Sequence, residues 1–146
     1  MPSIYEKRYP YFLSFDKDIL NLPLIYDFLI HESYWSLELE FQTMKNYIDH
    51  SLCVGLYHNT EGQIGFARVI TDYETMGYLS DVFVLKPYRG QGLGKWILDT
   101  LMKYPKLKKI RRFMLATKDA HGLYEKYGFT KLNQPEIFME KTHLFI

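Results

Sequence analysis

Residues 89–95, Arg89-Gly90-Gln91-Gly92-Leu93-Gly94-Lys95, constrain this chain more than any other stretch. Three glycines at alternate positions leave the backbone without β-carbons, just ahead of an apolar periodicity (Leu93, Ile97, Leu101) that predicts a helix. Bare amides can converge there on an anion. The unpaired first-turn N–H groups and the positive end of the helix dipole strengthen such a site, and Arg89 and Lys95 add cations. A diphosphate is the natural guest, and a glycine-rich turn without a ligand is the plainer alternative. The spacing G-x-G-x-G, late in the chain, departs from the dinucleotide fingerprint G-x-G-x-x-G, and Gly94-Lys95-Trp96 lacks the Ser/Thr of a P-loop.

The pattern around this loop predicts a mixed α+β chain. Tyr9 to Phe15 reads as extended. Leu22, Leu24, Ile25, Phe28 and Leu29 mark an amphipathic helix, and Glu38 to Asp49 a second one with Leu39, Met44, Tyr47 and Ile48 as its apolar stripe. Ser51 to Tyr57, Gln63 to Thr71 and Gly77 to Leu85 read as strands, the first two joined by a Glu61-Gly62 turn. After the glycine loop and its helix, which Pro105 ends, come a strand at Arg112 to Ala116 and a helix at about Lys118 to Tyr127 closed by Gly128. A last strand is expected over Glu136 to Lys141. The order β-α-α-β-β-β-α-β-α-β defines a mostly antiparallel sheet with inserted helices. At 146 residues, with no repeat or linker, a single domain over residues 1–146 is the expectation.

Two segments resemble one family. The loop, with the apolar strand and Pro87 before it, is similar to the Q/R-x-x-G-x-G/A motif of the GNAT superfamily of N-acetyltransferases. Ala120-His121-Gly122-Leu123-Tyr124-Glu125-Lys126-Tyr127-Gly128-Phe129 resembles the A-x-x-L-Y-x-K-x-G-F helix carried one strand later in that family. The predicted order of elements agrees from residue 10 onward. The resemblance implies a GNAT-like sheet with helices on both faces and a splayed pair of parallel strands that holds acyl-CoA. Val82, Phe83 and Val84 would offer backbone groups to the pantetheine arm. Gly90, Gln91, Gly92, Leu93, Gly94 and Lys95 would wrap the pyrophosphate, and Arg89 would either reach a phosphate or brace the loop. The implied activity is transfer of acetyl from acetyl-CoA to an amine, directly within a ternary complex. The other reading is a non-catalytic acyl-CoA-binding or protein-interaction module.

Such transfer uses an acid for the departing thiolate and a base where the amine arrives charged. Tyr124 matches the tyrosine that serves as acid in many relatives, and its place in the first turns of a helix would favour a developing anion. Asp81 is the candidate base. Strand alternation puts it on the face shared with Leu79 and Phe83, where desolvation would make it more basic. It is otherwise a structural carboxylate held by backbone or by an arginine such as Arg68, with a water chain carrying the proton instead. Thr117 stands where many relatives have a cofactor-contacting asparagine, so its hydroxyl would replace that amide only in part. Arg112 stands where the ribosomal-protein acetylating members place a glutamate, which argues against that subgroup. On the acceptor side, Glu32 would pair with a cationic amine and Tyr34 and Trp35 would flank it. The blander account is a helix end with two aromatics folded onto the core.

Charge and composition exclude several classes. A formal net charge of +1 supplies no global field for nucleic acid or anionic membrane. The basic run from Lys103 to Arg112 offers a rival site for nucleic acid or an acidic protein; more simply, it would be a solvated turn, or a patch for the 3′-phosphate of CoA. The apolar runs are too short to span a bilayer. Neither a leader pattern nor a possible disulfide accompanies the single Cys53, so a cytoplasmic chain is expected. No metal-ligand spacing appears among the histidines, the cysteine and the acids. The acceptor, a small-molecule or protein amine, is not specified, and pairing into a homodimer, as in many relatives, is compatible with the sequence.

Overall fold

The computed structural model describes residues 3–33 and 38–142. The chain divides into two compact units, Met1–Ala116 and Thr117–Ile146.

The first unit is built on a six-stranded sheet in sequential order, β1 (Glu6–Arg8), β2 (Tyr11–Ser14), β3 (Leu52–His58), β4 (Gly62–Thr71), β5 (Met76–Val84) and β6 (Arg112–Met114). Neighbours are antiparallel except β5 and β6, which run parallel. The extended run expected over Tyr9 to Phe15 is therefore the second half of a hairpin that opens at Glu6.

Directly paired residues share a face of a sheet, so the registers define two sides. Glu6, Leu13, Leu56, Gly65 and Val84 form one row. Helix α3 (Leu93–Lys103) lies on that side: the Trp96 indole N–H donates to Glu6 Oε1 at 3.0 Å, and a β-carbon on Gly94 would sit 3.8 Å from Val84 Cγ2. Ser14, Gly55, Phe66 and Phe83 form a row on the other face. There Phe66, Phe83 and Cys53 join Ile25, Phe28 and Leu29 of helix α1 (Leu22–His31) and Met44 and Ile48 of helix α2 (Phe41–Asp49) in one buried cluster. Phe28 stacks on Phe83 with centroids 3.9 Å apart. Helices thus cover both faces of the sheet.

Local chemistry sets the helix ends. The Asn21 side chain accepts from the Leu24 amide, and Pro23 occupies the first turn of α1. Helix α2 starts at Phe41 rather than at Glu38 because Glu38 is left-handed (φ 61°) and the Leu39 carbonyl is engaged by the Tyr26 hydroxyl at 2.8 Å. In the β4–β5 turn, Asp72 accepts from the Thr75 hydroxyl and from the Thr75 and Glu74 amides, which hold its carboxyl well below the usual carboxylate range.

The second unit carries helix α4 (His121–Glu125), shorter than the expected Lys118 to Tyr127. Its start is delayed because the Thr117 hydroxyl accepts from the Ala120 amide and turns the chain. Its last residue is Glu125 rather than Tyr127, and the closing glycine is the expected one. Gly128 is left-handed (φ 88°) and donates to Glu125 O, while Phe129 donates to Tyr124 O, a Schellman closure completed by edge contact of the Tyr124 and Phe129 rings at 5.9 Å. No strand forms over Glu136 to Lys141 among the described residues. Pro135 instead opens a 3-10 turn through Ile137, and Met139 is 96% exposed. The short apolar run Ile137-Phe138-Met139 reads as a strand but finds no ladder among the described residues.

Candidate functional site

The glycine loop joins the end of β5 to α3 through a 3-10 turn, Lys86–Tyr88. Gly90 (φ 83°) and Gly92 (φ 80°) are both left-handed, a conformation side chains rarely adopt, and a β-carbon on either would meet open space. Conformation rather than crowding selects glycine at these two positions. Gly92 is the N-cap of α3 and receives no side-chain cap. The first intrahelical bond runs from the Trp96 amide to Gly92 O at 3.0 Å, so the amides of Leu93 and Gly94 precede the helical ladder. The Leu93 side chain is buried, which leaves its amide as the group it can offer a ligand.

The side chains of the loop brace it. Arg89 Nε donates to Val84 O at 2.7 Å, Gln91 Nε2 donates to Tyr88 O at 3.1 Å, and the Tyr11 hydroxyl donates to Gln91 Oε1 at 3.2 Å. Lys95 Nζ lies 3.6 Å from the Asp99 carboxylate, one turn on.

Beside this loop, β5 presents a backbone edge on which the Val84 carbonyl is taken by Arg89. β6 pairs with β5 only at Met76–Tyr78, so Leu79–Val84 run on without a strand on that side among the described residues. The Leu85 amide donates to Ile64 O. By antiparallel alternation Phe83 also turns its backbone to β4, while Val82 and Val84 turn theirs to the open edge. Of the three residues expected to offer backbone groups, Phe83 is thus directed into the sheet.

A bulge sits directly before this segment. Ser80 pairs with Arg68 and Phe83 with Phe66, so Asp81 and Val82 together oppose Ala67, and Asp81 is left-handed (φ 54°). The bulge corrects the facial assignment made by simple alternation. Leu79, paired with Val69, and Phe83, paired with Phe66, lie on opposite faces. The Asp81 carboxylate lies on the Phe83 side, where Arg68 Nε meets Oδ2 at 2.9 Å with side-chain exposures of only 9% and 2%. Arg68 Nη1 also donates to Ser51 Oγ at 3.1 Å, and its guanidinium lies 3.9 Å from the Tyr47 ring centre. Ser51 Oγ in turn donates to Tyr47 O. Burial, and then the neighbouring Asp81 carboxylate to which the Tyr47 hydroxyl donates, push the Tyr47 pKa up.

Arg68 was legible as a partner for Asp81 because a guanidinium in an otherwise apolar strand requires a buried acceptor. Tyr47, Ser51 and Tyr11 were not singled out: Tyr47 reads as part of an apolar stripe, and no local pattern announces the other two.

Cys53 is buried on the same face. Desolvation pushes its thiol up to about 12, which keeps it protonated and unsuited to nucleophilic chemistry. In the basic turn, Leu107 is buried and Lys109 Nζ sits 2.6 Å from Glu74 Oε1, so this turn is pinned to the β4–β5 hairpin. Glu32 caps the C-terminal end of α1, its amide bonded to Phe28 O, and is exposed. Tyr34 and Trp35 lie outside the described residues. Thr117 and Tyr124 belong to the second unit, with Tyr124 at the fourth of five helical positions. Its carbonyl is taken up by the closing turn. Among the described residues no group of three His, Cys, Asp or Glu side chains is placed to hold a metal, and no helix is long and apolar enough to cross a membrane.

This geometry agrees with the known proteins the chain resembles. The model of the acetyltransferase (GNAT) family matches residues 17–129. A Gibberella zeae protein named "putative acetyltransferase" is 30% identical over 141 residues, covering 82% of this chain and 78% of its own. The crystal structure of a "putative acetyltransferase belonging to the gnat family" from Xanthomonas campestris pv. campestris superposes with a TM-score of 0.88 at 43% identity, covering 91% of this chain and 93% of that one. The "predicted acetyltransferase with acetyl-CoA" of Clostridium acetobutylicum, 21% identical, shares the fold with a TM-score of 0.61 over 90% of this chain and 94% of its own. The chain belongs to the acetyltransferase (GNAT) family.

Proposed function

We propose that this acetyltransferase uses acetyl-CoA and transfers the acetyl group to an amine by direct attack in a ternary complex. The observation that carries the reading is the pairing of two features. The left-handed glycines Gly90 and Gly92 bring the first-turn amides of Leu93 and Gly94 to the start of α3, and the edge of β5 at the Val82 backbone and the Val84 amide adjoins them in sequence. The amides suit a pyrophosphate, and the open edge suits the amides of a pantetheine arm. The acetyl-CoA named for the Clostridium acetobutylicum relative is consistent with this guest. Thr117 would add a hydroxyl contact to the cofactor.

In this mechanism the neutral amine attacks the thioester carbonyl carbon, forming the C–N bond. The tetrahedral adduct collapses with cleavage of the C–S bond. The amine nitrogen loses its extra proton to water, and the CoA thiolate takes one from the Tyr124 phenol, assigned by its place in the Leu-Tyr-x-Lys motif. Asp81, the sequence candidate for the base, has its carboxylate committed to Arg68 and Tyr47. We therefore read it as part of the cleft wall, with the water chain carrying the amine's proton. Glu32, with Tyr34 and Trp35, is the proposed acceptor side, suited to a cationic amine of a small molecule or a protein.

The test is calorimetry with CoA and acetyl-CoA, followed by thiol release from acetyl-CoA across a panel of amines. Binding, and turnover that Tyr124→Phe lowers by about a hundredfold, support the reading. Binding without turnover on any amine identifies a non-catalytic acyl-CoA-binding module, and absence of binding removes the cofactor assignment.

A further inference from the structure

We infer that Arg68 is a positioning residue for acetyl transfer. Acting through Asp81, it locks the bulge of β5 and so fixes which backbone groups of Val82–Val84 face the open edge. The inference rests on the acetyltransferase reading above and names residues that reading leaves without a role.

Three observations carry it. First, the bulge decides the backbone phase. Backbone direction alternates with period two along a strand, so the additional residue at Asp81 is what turns Val82 and Val84, rather than Phe83, to the unpaired side. A one-residue slip would exchange them. Second, the bulge is held by a non-glycine residue at φ 54°, a conformation aspartate tolerates better than most but does not prefer. Something outside the strand must over-determine it.

Third, the side chain of that residue is the end point of a closed polar ring. Arg68 meets Asp81 at 2.9 Å and Ser51 Oγ at 3.1 Å, Ser51 Oγ donates to Tyr47 O, and the Tyr47 hydroxyl returns to Asp81. Arg68 comes from β4, Tyr47 from α2, and Ser51 from the turn between α2 and β3. The ring therefore fastens the bulge to both the neighbouring strand and the helix above it. A buried ion pair gains little stability over apolar residues of equal size, whereas fixing a strained backbone needs directional contacts such as these. Cys53, on the same face, stays a neutral thiol, with Lys17 and Asp49 as further charged groups acting on it.

The experiment compares the full-length protein with Arg68→Lys, Tyr47→Phe and the double variant Arg68→Met/Asp81→Asn. The double variant leaves no lone buried charge and keeps a residue type that accepts the left-handed conformation. The phosphate grip lies elsewhere but the pantetheine edge follows the bulge, so CoA affinity by calorimetry should weaken by no more than about tenfold in the double variant while kcat falls by at least about thirtyfold. Arg68→Lys, which keeps the charge, should lie between wild type and the double variant. Hydrogen exchange of peptides covering residues 80–84 should accelerate in the double variant while melting remains cooperative. Wild-type kcat with unchanged exchange in the double variant would overturn the inference, as would a kcat loss accounted for by the unfolded fraction alone. If the wild-type protein releases no thiol with any amine, the acetyltransferase reading fails, and the exchange measurement still decides whether Arg68 locks the bulge.

Discussion

The Tyr11 hydroxyl donates to Gln91 Oε1 at 3.2 Å, tying the second strand to the middle of the glycine loop across 80 positions of sequence. The same tyrosine ring meets His58 edge-on at 5.5 Å and Tyr88 at 6.4 Å. Tyr11→Phe removes the bond and keeps the ring contacts. One exposed hydrogen bond contributes about 0.5–1 kcal/mol, so CoA affinity should weaken about two- to fivefold in calorimetry with little change in melting temperature. An unchanged affinity would show that Gln91 holds its place through Tyr88 alone.

Gly92→Ala and Gly94→Ala should separate backbone strain from ligand access. Alanine at 92 must adopt φ 80° and should destabilise the fold by about 1–2 kcal/mol in urea denaturation. Alanine at 94 would place its methyl in ordinary contact with Val84 inside a helix, so stability should hold or rise by up to about 1 kcal/mol. Both should weaken CoA binding, because each puts a β-carbon between the loop amides and a diphosphate. Retained CoA affinity in Gly94→Ala would place the pyrophosphate away from that residue.

Gly55 lets the Tyr57 ring fold back against its own strand. A β-carbon at 55 would overlap the phenol, and Phe12 stacks on the ring at 4.9 Å. Gly55→Ala should therefore cost about 1–3 kcal/mol by overpacking. The Tyr57 hydroxyl is buried with no hydrogen-bond partner among the described residues, so Tyr57→Phe should be neutral or stabilising by up to about 1 kcal/mol in the same denaturation assay. A clear loss of stability in Tyr57→Phe would reveal a partner for the hydroxyl, such as a bound water.

Alkaline pH should weaken the fold. Burial raises Cys53 from 9.0 to about 12 and raises Tyr47 and Tyr57 above 10.0. Above pH 9 the unfolded chain loses these protons while the native state keeps them. The stability from these groups is thus fully present below pH 9 and falls as pH rises through their native values. The slope is about 1.4 kcal/mol per pH unit for each group between its two values. Cys53→Ala should flatten the first part of that fall between pH 9 and pH 10 in urea denaturation. An identical slope in the variant would show that the thiol is not the group responsible.

Much of this arrangement was legible in the residues. The glycine spacing located the loop, the periodicity of Leu93, Ile97 and Leu101 placed α3, and Gly128 marked the end of α4. Where the reading erred, a local pattern lacked a tertiary partner or met an irregularity. Ile137, Phe138 and Met139 form a short strand-like apolar run, yet Pro135 starts a turn and no neighbour among the described residues pairs with them. Asp81 alternates with Leu79 and Phe83 on paper, and a single left-handed residue reversed the faces.

What the chain determines by itself is therefore whatever depends on near neighbours: element types, the left-handed glycines, the caps, and the charge of the loop. Only the tertiary structure decided that Arg68 engages Asp81, that Tyr11 reaches Gln91, and that Val82 and Val84 rather than Phe83 face the open edge. Those outcomes depend on strand register and on one bulge. Register is set by packing between segments distant in sequence, which no local run of residues encodes.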